Sequence, residues 1–328
     1  MILGRMPIRL ARAVVPSALV LGGLVALVAP GGAAGADGYV FSRTSSAQAG
    51  KVTTVRASVN YDRADPRRVC RLTARTPAGR SLKPIAKPAR ASTSRVGWKI
   101  KIPRIGPAGT WSYRIACPGS TTDSGTFEVA PARIKVGVSD AQFVGLPLTY
   151  QDDETYGWAA RIANPSAGFE IREIDVRAVF RDSAGRIVTT VSLEDFATLT
   201  ARETGLVSGR VTIEGEVPAT VSVSAVGDVA KRQMVPVQIR DLRLVTSSDT
   251  PVSLSVRGEA FNVGRRAVRG AYALAVYDAQ GRLLNATSVN YRPPVPAGQS
   301  RGIDEELGQG GAGTAARVEA FWPASPDT

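Results

Sequence analysis

The sequence predicts an all-β protein: three consecutive β-sandwich domains behind a cleaved signal peptide. Three observations carry this prediction. Apolar residues recur with period two in run after run, with polar residues between them, as in strands that turn one face to a core and the other to water. Turn-forming clusters separate the runs, and 33 glycines and 21 prolines are scattered without a period, which suits short strands better than helices. At 328 residues the chain matches roughly three modules of a hundred residues each.

Residues 1–36 read as the signal peptide. Arg5, Arg9 and Arg12 precede an apolar run from Ala13 to Val28, and small residues lead to Ala34-Gly35-Ala36. Signal peptidase reads basic, apolar and small-residue segments in that order, which places cleavage after Ala36. Pro16 and two glycines interrupt the apolar run, which stops short of the about 20 residues a membrane span needs. No later stretch is apolar enough to span a bilayer. The expected product is secreted, extracellular or cell-wall associated, without a membrane span.

The first sandwich is placed at 37–131. One apolar face comes from Val55, Ala57, Val59 and Tyr61, another from Cys70, Leu72 and Ala74. A third comes from Val96, Trp98, Ile100 and Ile102, and a fourth from Trp111, Tyr113, Ile115 and Cys117. Turn clusters at Asp62–Pro66, Thr76–Gly79 and Gly106–Gly109 lie between them. Cys70 and Cys117 are the two cysteines of an exported chain and both occupy the apolar phase, so a buried disulfide is expected. Their spacing is not that of a Cys-x-x-Cys redox pair.

Charge is concentrated here. Residues 37–131 carry 17 Lys and Arg against 5 Asp and Glu; residues 132–236 carry 11 against 14, and residues 237–328 carry 10 against 9. Candidate polyanion-binding residues are Arg67, Arg68, Arg71, Arg75, Arg80, Lys83, Lys99 and Lys101. Arg71, Arg75, Lys99 and Lys101 sit on the solvent phase of their strands, which predicts a continuous basic face. Such a face attracts polyanions by screened Coulomb forces and counterion release. The bland account is a solvated surface rich in arginine, since Lys occurs at only seven positions. Aromatic residues do not interleave with these arginines on the exposed phase, so stacking recognition of bases or sugar rings has no sequence support, and no specific nucleic-acid partner is expected.

The second and third modules, 132–236 and 237–328, repeat one another. Ala130-Pro131-Ala132 forms a short joint before them. Tyr156, Trp158, Ala160 and Ile162 lead to Asn164, and Leu254, Val256, Gly258 and Ala260 lead to Asn262. Ile174–Phe180 and Tyr272–Val276 then run into Asp182-Ser183-Ala184-Gly185-Arg186 and Asp278-Ala279-Gln280-Gly281-Arg282. Each reads as strand, tight turn with Gly at positive φ, and returning strand, with the Asp capping its own turn. Leu199–Thr204 parallels Val295–Ser300, and Val221–Ala225 parallels Val318–Phe321. Five segments in one order make these tandem sandwiches.

Two resemblances accompany these readings. Gly109–Cys117 followed by Gly125–Val129 resembles the last two strands of bacterial immunoglobulin-like domains. Tyr113 stands four residues before Cys117 where antibody domains have two, so the resemblance implies a bridge between adjacent strands rather than the antibody type. The pattern of Asn, apolar strand, aromatic, Asp and Gly-Arg over about 133–323 resembles two copies of the FxLYD family of immunoglobulin-like domains in secreted bacterial proteins. Copy one departs by inserting Arg181 between Phe180 and Asp182, and copy two has Val276 where the family has Leu. This resemblance implies structural or binding modules without catalytic residues.

Histidine is absent, which removes the commonest general base and zinc ligand. Asp152-Asp153-Glu154 and Asp304-Glu305-Glu306 lack the ligand alternation of a calcium loop and read as exposed loop charge. No catalytic residue, metal or cofactor is expected. The leading expectation is a secreted non-catalytic protein whose basic first domain contacts an anionic wall polymer or polysaccharide. The alternative is an assembly factor that pairs with another secreted protein through exposed sheet edges of the repeats.

Overall fold

The computed structural model of the protein describes residues 38–106, 108–147, 154–231, 234–246 and 253–323. Residues 1–36, where a signal peptide is expected, and Pro107, Asp152 and Asp153 lie outside these residues. All regular structure among them is β, as the period-two pattern predicts.

The first module is built from β1 (Gly38–Arg43), β2 (Ala47–Gln48), β3 (Val52–Tyr61), β4 (Val69–Arg75), β5 (Ile85–Pro88), β6 (Thr93–Lys101), β7 (Gly109–Ala116) and β8 (Asp123–Ala130). One sheet has the order β1-β3-β6, the other β2-β8-β7-β4-β5. Val55, Val59, Trp98 and Ile100 from the first sheet and Leu72, Trp111, Ile115 and Phe127 from the second enter one buried core. β4 pairs antiparallel with β7, Arg71 opposite Ala116, so Cys70 and Cys117 stand at the next paired position. Their Cα atoms lie 4.2 Å apart and the disulfide joins neighbouring strands of one sheet, at the close approach of a non-hydrogen-bonded pair.

The joint to the next module is pinned on both sides. The Ala49 amide donates to the Ala130 carbonyl at 2.8 Å and the Val229 amide to the Ala132 carbonyl at 2.8 Å. Ala132 and Val229 are buried in the first core.

The second module contains β9 (Arg133–Lys135), β10 (Gly137–Leu146), β11 (Glu154–Ala163), β12 (Glu170–Arg181), β13 (Ile187–Leu193), β14 (Thr204–Ile213) and β15 (Thr220–Ala230). Its sheets are β10-β11-β14 and β13-β12-β15-β9. The third contains β16 (Gln238–Thr246), β17 (Ser253–Phe261), β18 (Val268–Asp278), β19 (Leu283–Val295), β20 (Ser300–Gln309) and β21 (Ala315–Phe321). Its sheets are β16-β17-β20 and β19-β18-β21.

The repeated turn has the same geometry twice. The Asp182 and Asp278 amides each donate to the carbonyl of the arginine four residues on, and their carbonyls accept the Gly185 and Gly281 amides. Asp182 Oδ1 accepts the Ala184 and Arg186 amides at 2.9 Å, and Asp278 Oδ1 accepts the Gln280 and Arg282 amides at 2.9 Å. Gly185 and Gly281 have φ of 80° and 79°, the left-handed region that glycine enters without a Cβ clash. Arg186 and Arg282 fold back to the second carboxylate oxygen. In copy one, Arg181 is not an insertion. It pairs with Ile187 as Tyr277 pairs with Leu283, which makes Phe180 and Val276 equivalent core residues. Aligning the two aromatics put them in opposite strand phases.

Partial desolvation pushes the Asp182 and Asp278 carboxyls up, but their hydrogen bonds with Arg186 and Arg282 outweigh it and hold both below the ordinary value of 3.8. A depressed folded-state value stabilises above the unfolded value, and the contribution disappears as pH falls through the folded one. The double variant Asp182→Asn, Asp278→Asn therefore unfolds earlier in urea than the parent at pH 7. That difference shrinks steadily below about pH 4; a gap that persists at pH 2 contradicts this account.

The two repeats share a core. Tyr272, Leu274 and Val276 of β18 enter the third core, whereas Ala273, Ala275 and Tyr277, the alternate residues of the same strand, enter the second. Opposite them, Gly157 and Ala159 lie on the second face of β11. A Cβ on Gly157 would stand 3.1 Å from the Ala286 amide nitrogen. Gln142 clamps the β18–β19 turn, donating to the Gly281 carbonyl at 3.1 Å and accepting the Leu283 amide at 2.9 Å. Arg161 pairs with Glu319 at 2.6 Å. Gly157→Val pushes this contact apart and destabilises by about 1–3 kcal/mol. Urea unfolding followed by tryptophan fluorescence measures it, and an unshifted midpoint refutes the close packing.

Candidate polyanion interface

The cations of the first module divide between two faces. β4 belongs to the five-stranded sheet and β6 to the three-stranded one, and outward side chains of two stacked sheets point in opposite directions. Arg71 and Arg75 are exposed on one side of the sandwich and Lys99 and Lys101 on the other. The single continuous face expected for these four does not form, because period two separates inward from outward but does not assign a strand to a sheet.

The other predicted residues lie in connections. Arg67 and Arg68 are between β3 and β4, and Arg80 and Lys83 between β4 and β5. The Arg68 guanidinium stacks 3.4 Å from the Tyr61 ring centroid and donates to the Arg63 carbonyl at 3.0 Å, so it shapes its loop. The Thr76 amide donates to the Arg80 carbonyl at 3.0 Å, closing a turn. The outer face of the five-stranded sheet combines Arg71, Arg75 and Arg114 with Glu128, which accepts a hydrogen bond from Thr110 Oγ1 at 2.5 Å.

The outer face of β1-β3-β6 is different. Its register aligns Phe41 with Ser58 and Arg95, Arg43 with Arg56 and Gly97, Thr54 with Lys99, and Val52 with Lys101. Five cations thus share the face, and none of the three strands contains an acidic residue. None of the five joins an ion pair among the described residues. Tyr39 and Phe41 project from the same face, 60% and 69% exposed, and are the two aromatics among the exposed large apolar side chains. A groove of about 610 Å³ is lined by Phe41, Arg43, Arg56, Ser58, Arg95 and Gly97.

Sequence reasoning missed Tyr39, Phe41 and Arg43 because it assigned no strand to β1, and Arg56 because only the apolar phase of β3 was followed. The signal was available in Tyr39, Phe41 and Arg43 alternating around buried Val40. Their exposure overturns the expectation that aromatics do not accompany the cations.

Carboxylates elsewhere are tied to structure. Arg133 pairs with Asp175 at 2.5 Å and with Asp228 at 3.4 Å, tying β9 to β12 and β15. Burial pushes the Glu203 carboxyl up, and it accepts the Thr200 amide at 2.6 Å. Buried Glu170 accepts the Met234 amide at 3.0 Å. Asp304, Glu305 and Glu306 lie in β20, not in a loop, and Tyr272 donates to Glu305 at 2.5 Å. Among the described residues no group of three or more Cys, Asp or Glu is placed to hold a metal ion, and no helix is long and apolar enough to cross a membrane.

No family model and no curated protein matches the chain. Among solved structures, trypsin-activated alpha-2-macroglobulin from Escherichia coli aligns with 90% of this chain and 24% of its own at 12% identity and a TM-score of 0.24. A tetra-tandem repeat from the extending region of a large adhesion protein aligns over 87% and 74% at 16% identity and a TM-score of 0.22. Dimeric latent PorU from Porphyromonas gingivalis aligns over 88% and 34% at 12% identity and a TM-score of 0.20. The chain spans about a quarter of the first of these. Superposition at this level adds nothing to the fold read from the strands themselves.

Proposed function

We propose that this is an extracytoplasmic, non-catalytic binding protein whose first sandwich contacts an anionic polymer, with the two FxLYD-like repeats acting as a spacer or docking unit. The observation that carries the reading is the concentration of charge: 17 cationic against 5 acidic residues in 37–131, beside two nearly neutral modules. The disulfide supports a location outside the reducing cytosol. The core shared by the repeats supports a stiff unit rather than two hinged ones. Polyanion binding of this kind releases counterions, so affinity falls steeply with salt. The full chain is expected to bind heparin at low ionic strength and to elute from a cell-wall fraction with salt. Absence of heparin binding at low salt, or salt-insensitive copurification with one stoichiometric protein, overturns the reading in favour of protein assembly.

A further inference from the structure

We infer that the polymer lies on the outer face of β1-β3-β6, across the groove floored by Gly97, and that it is an acidic polysaccharide. Its sugar rings rest on Phe41 and Tyr39, and its carboxylate or phosphate groups meet Arg43, Arg56 and Arg95. This inference rests on the polyanion reading above and assigns it a site and a ligand class.

Three features separate this face from the rest of the molecule. Its cations have no acidic neighbour in their own strands, whereas Glu128 interrupts the opposite face. Guanidinium groups in that state keep their fork of donors for a carboxylate or phosphate. Second, two large aromatic side chains stand in water on an edge strand, an arrangement that invites aggregation unless a ligand uses it.

Third, Gly97 is not required by the fold. Its φ is not left-handed, and a Cβ there would sit in ordinary contact, 3.6 Å from Thr54 Cγ2. Glycine inside a strand is destabilising relative to alanine. What it provides is an open floor between Arg56 and the sheet edge, level with Arg43.

A polysaccharide fits better than single-stranded nucleic acid. Tyr39 and Phe41 occupy alternate positions of one strand, about 7 Å apart, so each can meet one ring of an extended polymer. The groove itself is lined by no Asn, Gln, Asp or Glu, and the one amide in the three strands, Asn60, stands outside it beside Tyr39.

The test uses the full, oxidised chain against polygalacturonate, heparin and an oligothymidylate of matched charge. The triple variant Arg43→Gln, Arg56→Gln, Arg95→Gln should lose at least tenfold in polygalacturonate affinity, with the log–log salt slope reduced by about 3. Gly97→Val and the pair Tyr39→Ser, Phe41→Ser should each lose severalfold affinity at an unchanged salt slope, because they remove shape and stacking but no charge. Arg71→Gln, Arg75→Gln, Arg114→Gln is the control and should bind like the parent. All these positions are exposed, and an unchanged thermal transition confirms the fold of each variant.

Loss of binding in the control set with retention in the groove variants overturns the site while leaving the polyanion reading intact. Oligothymidylate bound as tightly as polygalacturonate overturns the glycan assignment. A parent chain that binds none of the three sinks the functional reading itself.

Discussion

Reducing the Cys70–Cys117 bridge should destabilise the first sandwich by about 4 kcal/mol, the loop-closure estimate for a 47-residue separation. The bridge joins neighbouring strands that are already paired, so the native state changes little and the effect falls on the unfolded chain, which gains the freedom the crosslink denied it. The same result is expected for Cys70→Ser with Cys117→Ser. Urea titrations with and without reductant should show an early transition shifting to lower denaturant while the signal of the repeats stays in place. An unmoved first transition would show that strand pairing alone holds β4 to β7.

The second large effect concerns the paired asparagines. Asn164 is buried, donates from Nδ2 to the carbonyls of Phe169 at 2.9 Å and Thr200 at 3.0 Å, and accepts the Ser166 amide at 3.1 Å. Asn262 does the same with Arg266 at 2.7 Å, Val295 at 3.0 Å and the Gly264 amide at 2.9 Å. Each ties the turn after one long strand to a distant segment. Truncation to alanine strands at least two buried or half-buried backbone groups, and each unmet group costs about 1–3 kcal/mol. Asn164→Ala and Asn262→Ala should therefore each cost about 2–4 kcal/mol. Because the geometry recurs, the two costs should agree closely; a neutral effect in either copy would mean that water or a shifted turn replaces the amide.

These two features were legible to different degrees. The cysteines announced themselves by count and phase. The asparagines were visible only as recurring residues after a strand, and their local turn bonds were foreseeable, but the bonds to Thr200 and Val295 depend on how distant loops return. Period two identified the inward faces of β3, β4, β6 and β7 correctly, since Val55, Leu72, Trp98 and Trp111 are all buried. It did not reveal that β11 and β18 are buried on both faces. Gly157, Ala159, Ala273 and Ala275 in the supposed solvent phase were the signal, because strands covered on both sides lose their polar alternation.

The bulges at Asp140 and Asp241, with φ of 52° and 50°, were not foreseen either. Both interrupt the first long strand of a repeat, where a short polar side chain tolerates left-handed backbone.

The candidate site divides along the same line. The charge of the first module can be counted in the sequence, and Lys99 and Lys101 lie on the face assigned here. Arg71 and Arg75 lie on the opposite face, since sheet membership is decided by long-range pairing and not by local pattern.

Arginine footprinting of the full chain, with and without polygalacturonate at low salt, tests the central claim most directly. The account predicts that Arg43, Arg56 and Arg95 lose reactivity towards a dicarbonyl reagent when polymer is present, while Arg71, Arg75 and Arg114 keep theirs. Equal shielding of both sets, or shielding confined to arginines of the repeats such as Arg240 and Arg257, would contradict it.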